Sequence, residues 1–505
     1  MTSTVNHQLE EYHLRYPFHR YMELFQDSDY AFLLDSAGGQ KELGHYSYVG
    51  GDPFLVYRAK RVPTEAGPAL AQVTETLYKD NRGKSLITPK ESSRTVDLFS
   101  DLRRTFSKYQ FSPHKYESRD APFFSGAIGY FGYETGHFVE ALTSISVDDL
   151  QMDDVTLLFC DCLFVYNHKS NITWISAIGR GETQAEALAI SQEKKQVFIE
   201  RVREFERSLE KRVSASEKKS LKPKPLAVNQ PFSKERYCNS VAAAKEHILA
   251  GDALEICLTH RMDAPFEGDT WRLYQELRRL NPAPFASYLK LPEATIVSSS
   301  PERFLKLSSD RTVQSRPIKG TRPRGKDTQE DNAQFLDLST NPKDKAENMM
   351  IVDLVRNDLG MVCQFGSVRV PELLNVEKYA TVFQLVSTIE GKLRENKDVF
   401  DLISAAIPGG SMTGAPKIEA MKIIDTLEPV NRGVYSGAIG FLDFTGTADL
   451  NIVIRTIIIT NKRAYLSVGG AIVADSEPDK EYDETMDKAR ALIEALNNCH
   501  REYSP

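Results

Sequence analysis

The sequence predicts a chain of mixed helix and strand, with helices packed on a mixed or antiparallel β-sheet. Three observations carry this. Short apolar runs separated by Gly-rich turns fill the first 180 residues or so. From Phe232 onward helical periods alternate with strands. The strands there are spaced as hairpins rather than as long crossovers.

Taken in order, YAFLLDSAG, HYSYVGG, FFSGAIGYFGYE and VTLLFCDCLFVYN read as strands. Residues 182–211 follow as a polar helix, with Ala185, Ala189, Val197, Ile199, Val202 and Phe205 at helical spacing. Residues 212–231 are rich in lysine and include Pro223, Pro225 and Pro231, as in a solvated linker or exposed loop. Beyond it, helices are expected at 241–250, 271–280, 346–359, 399–406, 417–427 and 482–496. Strands are expected at SYLKL, ATIVSSS, RFLKL, GAIGFLDF, LNIVIRTIIIT and AYLSVGGAIVA. No repeat of fixed period is present.

A chain of 505 residues suggests two or three domains, or one large sheet-based unit. Its net charge of −7 disfavours nucleic acid and anionic membranes as partners, so an anionic substrate needs local cations. No apolar stretch is long enough to span a bilayer, and the N-terminus lacks an apolar signal core. The cysteines, Cys160, Cys162, Cys238, Cys257, Cys363 and Cys499, are scattered and form no CxxC. Reduced thiols in a cytoplasmic protein are the expectation.

Four constellations could carry chemistry. Asp344 and Glu347 lie three apart at one helix start, and Glu481 and Glu484 do so at another, so each pair shares a helix face. Two such helices could hold one hard cation such as Mg²⁺, although acids near helix N-termini also simply favour the macrodipole. The segment SRPIKGTRPRG places Lys319 between Ile318 and Gly320. It is either an exposed basic loop or a setting in which an apolar pocket pushes the amine below about 10.4, toward the neutral nucleophile. PGGSMTGAPK, residues 408–417, opens a helix and could cradle an anion, although its spacing is not that of a P-loop. Arg455 lies inside the apolar strand 452–458, where a buried guanidinium needs a structural carboxylate or a substrate anion.

Together these segments resemble the chorismate-utilising enzyme family, which includes anthranilate synthase component I, aminodeoxychorismate synthase component I, and isochorismate and salicylate synthases. The blocks are SPERF, PIKGTRPRG, AENMMIVDLVRNDLG, LVSTIEG, PGGSMTGAPKIEAM, RGVYSGAIGFLDF, DLNIVIRT and EYDET, with thinner matches at FLLDSAG, GHYSYVGGDP and FFSGAIGYFGYE. The resemblance implies an α+β fold of two stacked, roughly orthogonal antiparallel sheets with helices outside. An N-terminal region would cover residues 1–230 and a chorismate-binding catalytic region 231–505.

By motif position, Glu347 and Glu484 resemble Mg²⁺ ligands, with Asp344 and Glu481 close by. Tyr435 and Arg455 resemble binders of the enolpyruvyl carboxylate. Gly320, Thr321, Ser411, Gly469, Gly470 and Lys488 resemble further substrate contacts. The loop PIKGT, with Lys319 where anthranilate synthases carry PIAGT, resembles the aminodeoxychorismate synthase component I branch. That branch implies attack by neutral Lys319 on chorismate, with Glu302 as general acid, on the route to para-aminobenzoate and folate. Glu255 stands where isochorismate and salicylate synthases carry a water-activating lysine, which disfavours hydroxylation.

The resemblance also has departures. Gln384 replaces a histidine of many relatives and cannot transfer protons, and Ala471 replaces a glycine. No glutaminase block is found, which implies a separate glutamine amidotransferase subunit as ammonia source. Asp35, Ser36, Pro282 and Pro284 resemble the family's tryptophan pocket. The competing expectations are anthranilate synthase component I and a non-catalytic amino-acid-binding scaffold; the latter would be expected to lose metal-set acids or Arg455, and all are present.

Overall fold

Two segments of the C-terminal half begin in one sheet and finish in the other, and this double crossing organises the molecule. The first is Thr295–Ser300 followed by Arg303–Leu307; the second is Ala448–Ile452 followed by Thr456–Thr460. The structure, a computed structural model, describes residues 4–36, 43–65, 67–80, 84–111, 123–213, 228–379 and 382–500. Within them the strands form an eleven-stranded and a twelve-stranded sheet, all of whose ladders are antiparallel. With the helices packed on them, this is the expected α+β architecture.

Strand alternation explains the layers. In the eleven-stranded sheet Ile457, Ile459, Leu466 and Val468 point into one core cluster, which Leu492 and Leu496 of helix Pro478–Cys499 close from outside. Each fully buried side chain of this kind contributes about 1.5–3 kcal/mol. Helix boundaries follow their caps. Asn341 accepts from the Asp344 amide at 3.1 Å and starts helix Pro342–Gly360, with proline at the first turn. Ser233 starts helix Lys234–Ala250, and Gly251 ends it with φ +89°. The helix expected at 182–211 is Gln184–Val213; most of the lysine-rich stretch after it lies outside the described residues.

The two sequence regions divided at 230 share both sheets. Ala31–Asp35 pairs with Phe285–Lys290 in one, and Gly126–Phe131 with Ala438–Asp443 in the other. That boundary therefore separates stretches of sequence, not sheets. Among the described residues no helix is long and apolar enough to cross a membrane, and no disulfide joins the cysteines.

One buried ion pair ties three elements together. The Arg432 guanidinium donates to Glu428 at 2.6 and 2.8 Å, to the Met412 carbonyl at 2.5 Å and to the Cys257 carbonyl at 2.6 Å. Glu428 also accepts from the Thr259 amide at 2.7 Å. Replacing Arg432 by methionine strands a buried carboxylate and two carbonyls. We expect a loss of roughly 3–5 kcal/mol, read as a lower denaturant midpoint, and no rescue by lysine, which lacks the planar fork.

Candidate active site

The crossing segments are laced to one another. The Ser300 hydroxyl donates to the Ile452 carbonyl at 2.6 Å, the Ile452 amide to the Glu302 carbonyl at 3.0 Å, and the Ser299 amide to the Arg455 carbonyl at 3.1 Å. Glu302 and Arg455 thereby sit at neighbouring corners. Arg455 is not inside a strand, as the sequence pattern suggested. The run divides at Val453, Ile454 and Arg455, with Arg455 in the left-handed region at φ +52°, because the chain must leave one sheet there and enter the other.

Glu302 is buried, and the Ser411 hydroxyl donates to its Oε1 at 2.7 Å. Burial pushes the carboxyl up to about 7, against the opposing effects of that hydrogen bond and of the Lys319 charge. A carboxyl that holds its proton near neutrality suits a general acid. Ser411 lies in the short turn Gly410–Met412. The glycines before it serve close packing rather than an anion cradle. A Cβ on Gly409 would sit 2.6 Å from Ile452, and one on Gly410 2.5 Å from Leu354. The helix Lys417–Leu427 starts only after Pro416, and the Lys417 ammonium pairs with Asp358 at 2.8 Å.

Lys319 lies on the edge strand Ile318–Pro323 with its side chain buried, so the exposed-loop reading does not hold. Its Nζ donates to Glu255 Oε1 at 2.6 Å, across from strand Glu255–Pro265 of the other sheet. Burial lowers the affinity of this amine for a proton. The neighbouring acids, Glu255 first and then Glu347, reverse the effect, so it is held above the ordinary lysine value. This corrects the expectation of a lysine made neutral by an apolar pocket: the pocket is acidic, and the resting amine is an ammonium. Next to it Gly320, at φ +79°, brings the backbone against the Asp344 carboxylate, 2.9 Å from where a Cβ would stand. Thr321 is exposed on the same strand, and Gln384 is buried opposite it.

The two acidic helix starts meet this lysine. Glu347, on Pro342–Gly360, is buried; its Oε1 accepts no hydrogen bond among the described residues and faces the Lys343 ammonium at 3.8 Å. Burial raises it to about 7; Lys319 and Lys343 oppose the shift, while Glu255 and Glu484 add to it. Glu484, on Pro478–Cys499, is held low chiefly by Lys488, which lies 2.8 Å from it and also donates to the Gly469 carbonyl at 2.8 Å. Asp344 pairs with Arg322 at 2.8 Å and Glu481 with Lys343 at 3.2 Å, so these two acids are already matched by cations. Gly470 brings the next strand against Glu481, 3.3 Å from a would-be Cβ.

This donor set fits Mg²⁺. Glu347 has a buried oxygen that accepts no hydrogen bond among the described residues, and the charge of Glu484 adds to the upward shift of its carboxyl. Among the described residues no group of three or more His, Cys, Asp or Glu could hold a metal alone. Mg²⁺ takes one or two carboxylates and completes its shell with water or substrate oxygens.

Tyr435 is buried near Arg455, and burial pushes its hydroxyl up. Burial pulls the Arg455 guanidinium down, and the negative charge of Glu484 opposes it. No salt bridge or side-chain hydrogen bond to Arg455 is formed among the described residues. A structural ion pair is thus not what holds it, and the guanidinium remains available to an anion.

Asp35 lies apart from this cluster. Its carboxylate accepts from Tyr274 at 2.9 Å, Arg278 at 2.6 Å and Ser47 at 3.2 Å. Ser36 donates to the Tyr46 carbonyl at 2.7 Å, and Pro282 and Pro284 form the turn before Phe285–Lys290. Residues 37–42, which follow Ser36 in sequence, lie outside the described residues.

Sequence reasoning did not pair Lys319 with Glu255, nor single out Lys343. One signal was present. Glu255 opens the apolar run Ile256-Cys257-Leu258, and a carboxylate on a buried strand needs a cation.

A family described as chorismate binding enzyme matches residues 61–494. Anthranilate synthase component 1 of Acetivibrio thermocellus is 34% identical over 484 residues, covering 94% of this chain and 92% of that one. Aminodeoxychorismate synthase of Streptomyces pristinaespiralis is 37% identical over 500 residues, covering 94% of this chain, which spans only 63% of that longer protein. The crystal structure of anthranilate synthase component I from Streptococcus pneumoniae TIGR4 superposes with a TM-score of 0.71 at 26% identity, over 90% of this chain and 93% of that one. Buried acids, a buried lysine and an arginine without a side-chain partner among the described residues, at the junction of two antiparallel sheets, thus coincide with the family match, and the chain belongs to the chorismate binding enzyme family.

Proposed function

We propose that this chain aminates chorismate at C4 to 4-amino-4-deoxychorismate, as an aminodeoxychorismate synthase component I that receives ammonia from a separate glutamine amidotransferase subunit. The observation that carries this is the Lys319 amine, buried among Glu255, Glu302, Glu347 and Glu484 rather than exposed.

Chorismate is a dianion. Arg455 and Tyr435 hold its enolpyruvyl carboxylate, while Lys488 and the backbone at Gly320, Gly469 and Gly470 line its ring. Glu347 and Glu484 would hold Mg²⁺, with Asp344 and Glu481 behind them; when bound, the ion neutralises the ring carboxylate and makes the ring a better electrophile. The Lys319 nitrogen forms a bond to C2, the two ring double bonds shift, and the C4–O bond breaks. Its oxygen takes the proton of Glu302 and leaves as water. Ammonia then bonds to C4, the double bonds shift back, and the C2–N bond breaks to free the lysine. Covalent catalysis replaces one difficult displacement at C4 by two easier ones. Ser411 holds the Glu302 oxygen in place.

The anthranilate synthase relative supports a second reading, amination at C2 with loss of pyruvate. Product identification with chorismate, ammonium and Mg²⁺ separates the two. We expect 4-amino-4-deoxychorismate, and early anthranilate fluorescence would defeat the proposal. Lys319→Ala should abolish the 4-amino product, with residual activity diverted toward C2; an unchanged product at an unchanged rate would remove the lysine from the chemistry.

Glu302 must be protonated to donate, and its carboxyl is raised to about 7. The Glu302 contribution to kcat should therefore be full below pH 7 and fall away above it. Glu302→Gln should lower kcat by roughly 10²–10⁴ and remove that alkaline limb, as a pH–rate profile would show.

Titration with EDTA should weaken chorismate binding in calorimetry, with recovery on adding Mg²⁺. Binding that ignores the chelator would exclude Glu347 and Glu484 as a cation site that serves the substrate.

A further inference from the structure

The Glu255–Lys319 pair has a property that a purely structural ion pair does not need. Glu255 is fully buried, and only Oε1 is engaged, by the Lys319 ammonium at 2.6 Å. Its other oxygen, Oε2, is buried without a hydrogen-bond partner among the described residues. Buried carboxylates held only for stability are normally satisfied on both oxygens, because an unmet acceptor costs about 1–3 kcal/mol. Glu255 therefore keeps spare acceptor capacity beside the one nitrogen that must lose a proton before it can form a bond.

On the reading that Lys319 attacks the ring, we propose that Glu255 positions the Lys319 nitrogen and takes its proton, so that the nucleophile is released inside the closed site without exchange with solvent. The transfer moves one proton from Nζ to a Glu255 oxygen and leaves two neutral groups, a form that a desolvated site tolerates better than water does. The nitrogen lone pair so freed makes the bond to C2. When ammonia later expels the lysine, the nitrogen departs with the bonding pair, and Glu255 returns the proton to it.

The groups that face Lys319 come from four elements. Glu255 and Cys257 project from one strand, Glu302 lies at the sheet crossing, Glu347 is on Pro342–Gly360 and Glu484 is on Pro478–Cys499. Of these, Glu255 is the acid hydrogen-bonded to Nζ. Glu302 is engaged by Ser411 and Glu484 by Lys488.

The test compares Glu255→Gln and Glu255→Asp with the parent, using the full chain, ammonium, Mg²⁺ and chorismate. Glutamine keeps the shape but cannot take a proton. Glu255→Gln should lose about a hundredfold in kcat at pH 7, with KM for chorismate within about threefold of the parent. Its amine must then deprotonate to solvent, so the ratio of variant to parent kcat should climb about tenfold per pH unit between roughly pH 6 and 8; titrations common to both proteins cancel in that ratio. Glu255→Asp should recover part of the rate and flatten the ratio.

A variant that matches or exceeds the parent, or a ratio independent of pH, would overturn the proposal and leave Glu255 as a clamp on a resting ammonium. If Glu255→Gln does not fold, Glu255→Asp decides alone: it withdraws the acid by one methylene, and a kcat within twofold of the parent would overturn the idea. The parent's product keeps the two readings apart. Anthranilate from the parent sinks the amination at C4 whatever Glu255 does, whereas 4-amino-4-deoxychorismate from the parent with an unaffected variant sinks only the role of Glu255.

Discussion

Three hydrogen bonds between two sheet-crossing segments are the constraint on which the site depends. A chain that leaves one buried sheet for another strips its backbone of ladder partners at the corner, and buried amides and carbonyls must find replacements. Here the two corners satisfy each other through Ser299, Ser300, Glu302, Ile452 and Arg455. Each corner fixes the other, so an acid and a guanidinium stand next to one another on a rigid floor. Ser411 then locks Glu302 from a third element, and the Arg432–Glu428 pair ties that element to the strand that bears Glu255 and Cys257.

Above this floor the charges are arranged against one another at short range. Lys319 faces Glu255, Lys488 faces Glu484, and Lys343 lies between Glu347 and Glu481. In a low-dielectric site such neighbours shift one another far more than surface charges do. That is why Glu484 stays ionised and why the lysine stays charged at rest, whereas Glu302 holds its proton through burial, against the Lys319 charge. It is also how a chain of net charge −7 can present an anion with a local positive site, at Arg455, without raising its overall charge.

Much of this was legible before any coordinate. The acid pairs Asp344/Glu347 and Glu481/Glu484 follow from helical spacing alone, because residues three apart share a face whatever the tertiary context. The order of strands and helices followed from periodicity, and the resemblance drew on blocks spread over most of the chain. Two readings failed for a common reason. Arg455 looked interior to one strand because LNIVIRTIIIT is apolar throughout, and hydrophobicity does not report a change of sheet. The glycines of PGGSMTGAPK looked like an anion cradle, whereas their lack of Cβ atoms answers Ile452 and Leu354, which come from distant parts of the chain.

By itself the sequence determined which residues could do chemistry: the acids on two helix faces, the lysine between Ile318 and Gly320, and the arginine in an apolar run. These depend on side-chain type and local period, which are written in order along the chain. Only the tertiary structure decided their state. Whether Lys319 rests as an amine or an ammonium depends on Glu255, sixty-four positions away in sequence and on the other sheet. Whether Glu302 keeps its proton depends on how deeply the crossing segments bury it, against the Ser411 hydrogen bond and the Lys319 charge. A pKa is set by distances and desolvation, and both come into being only when remote segments meet.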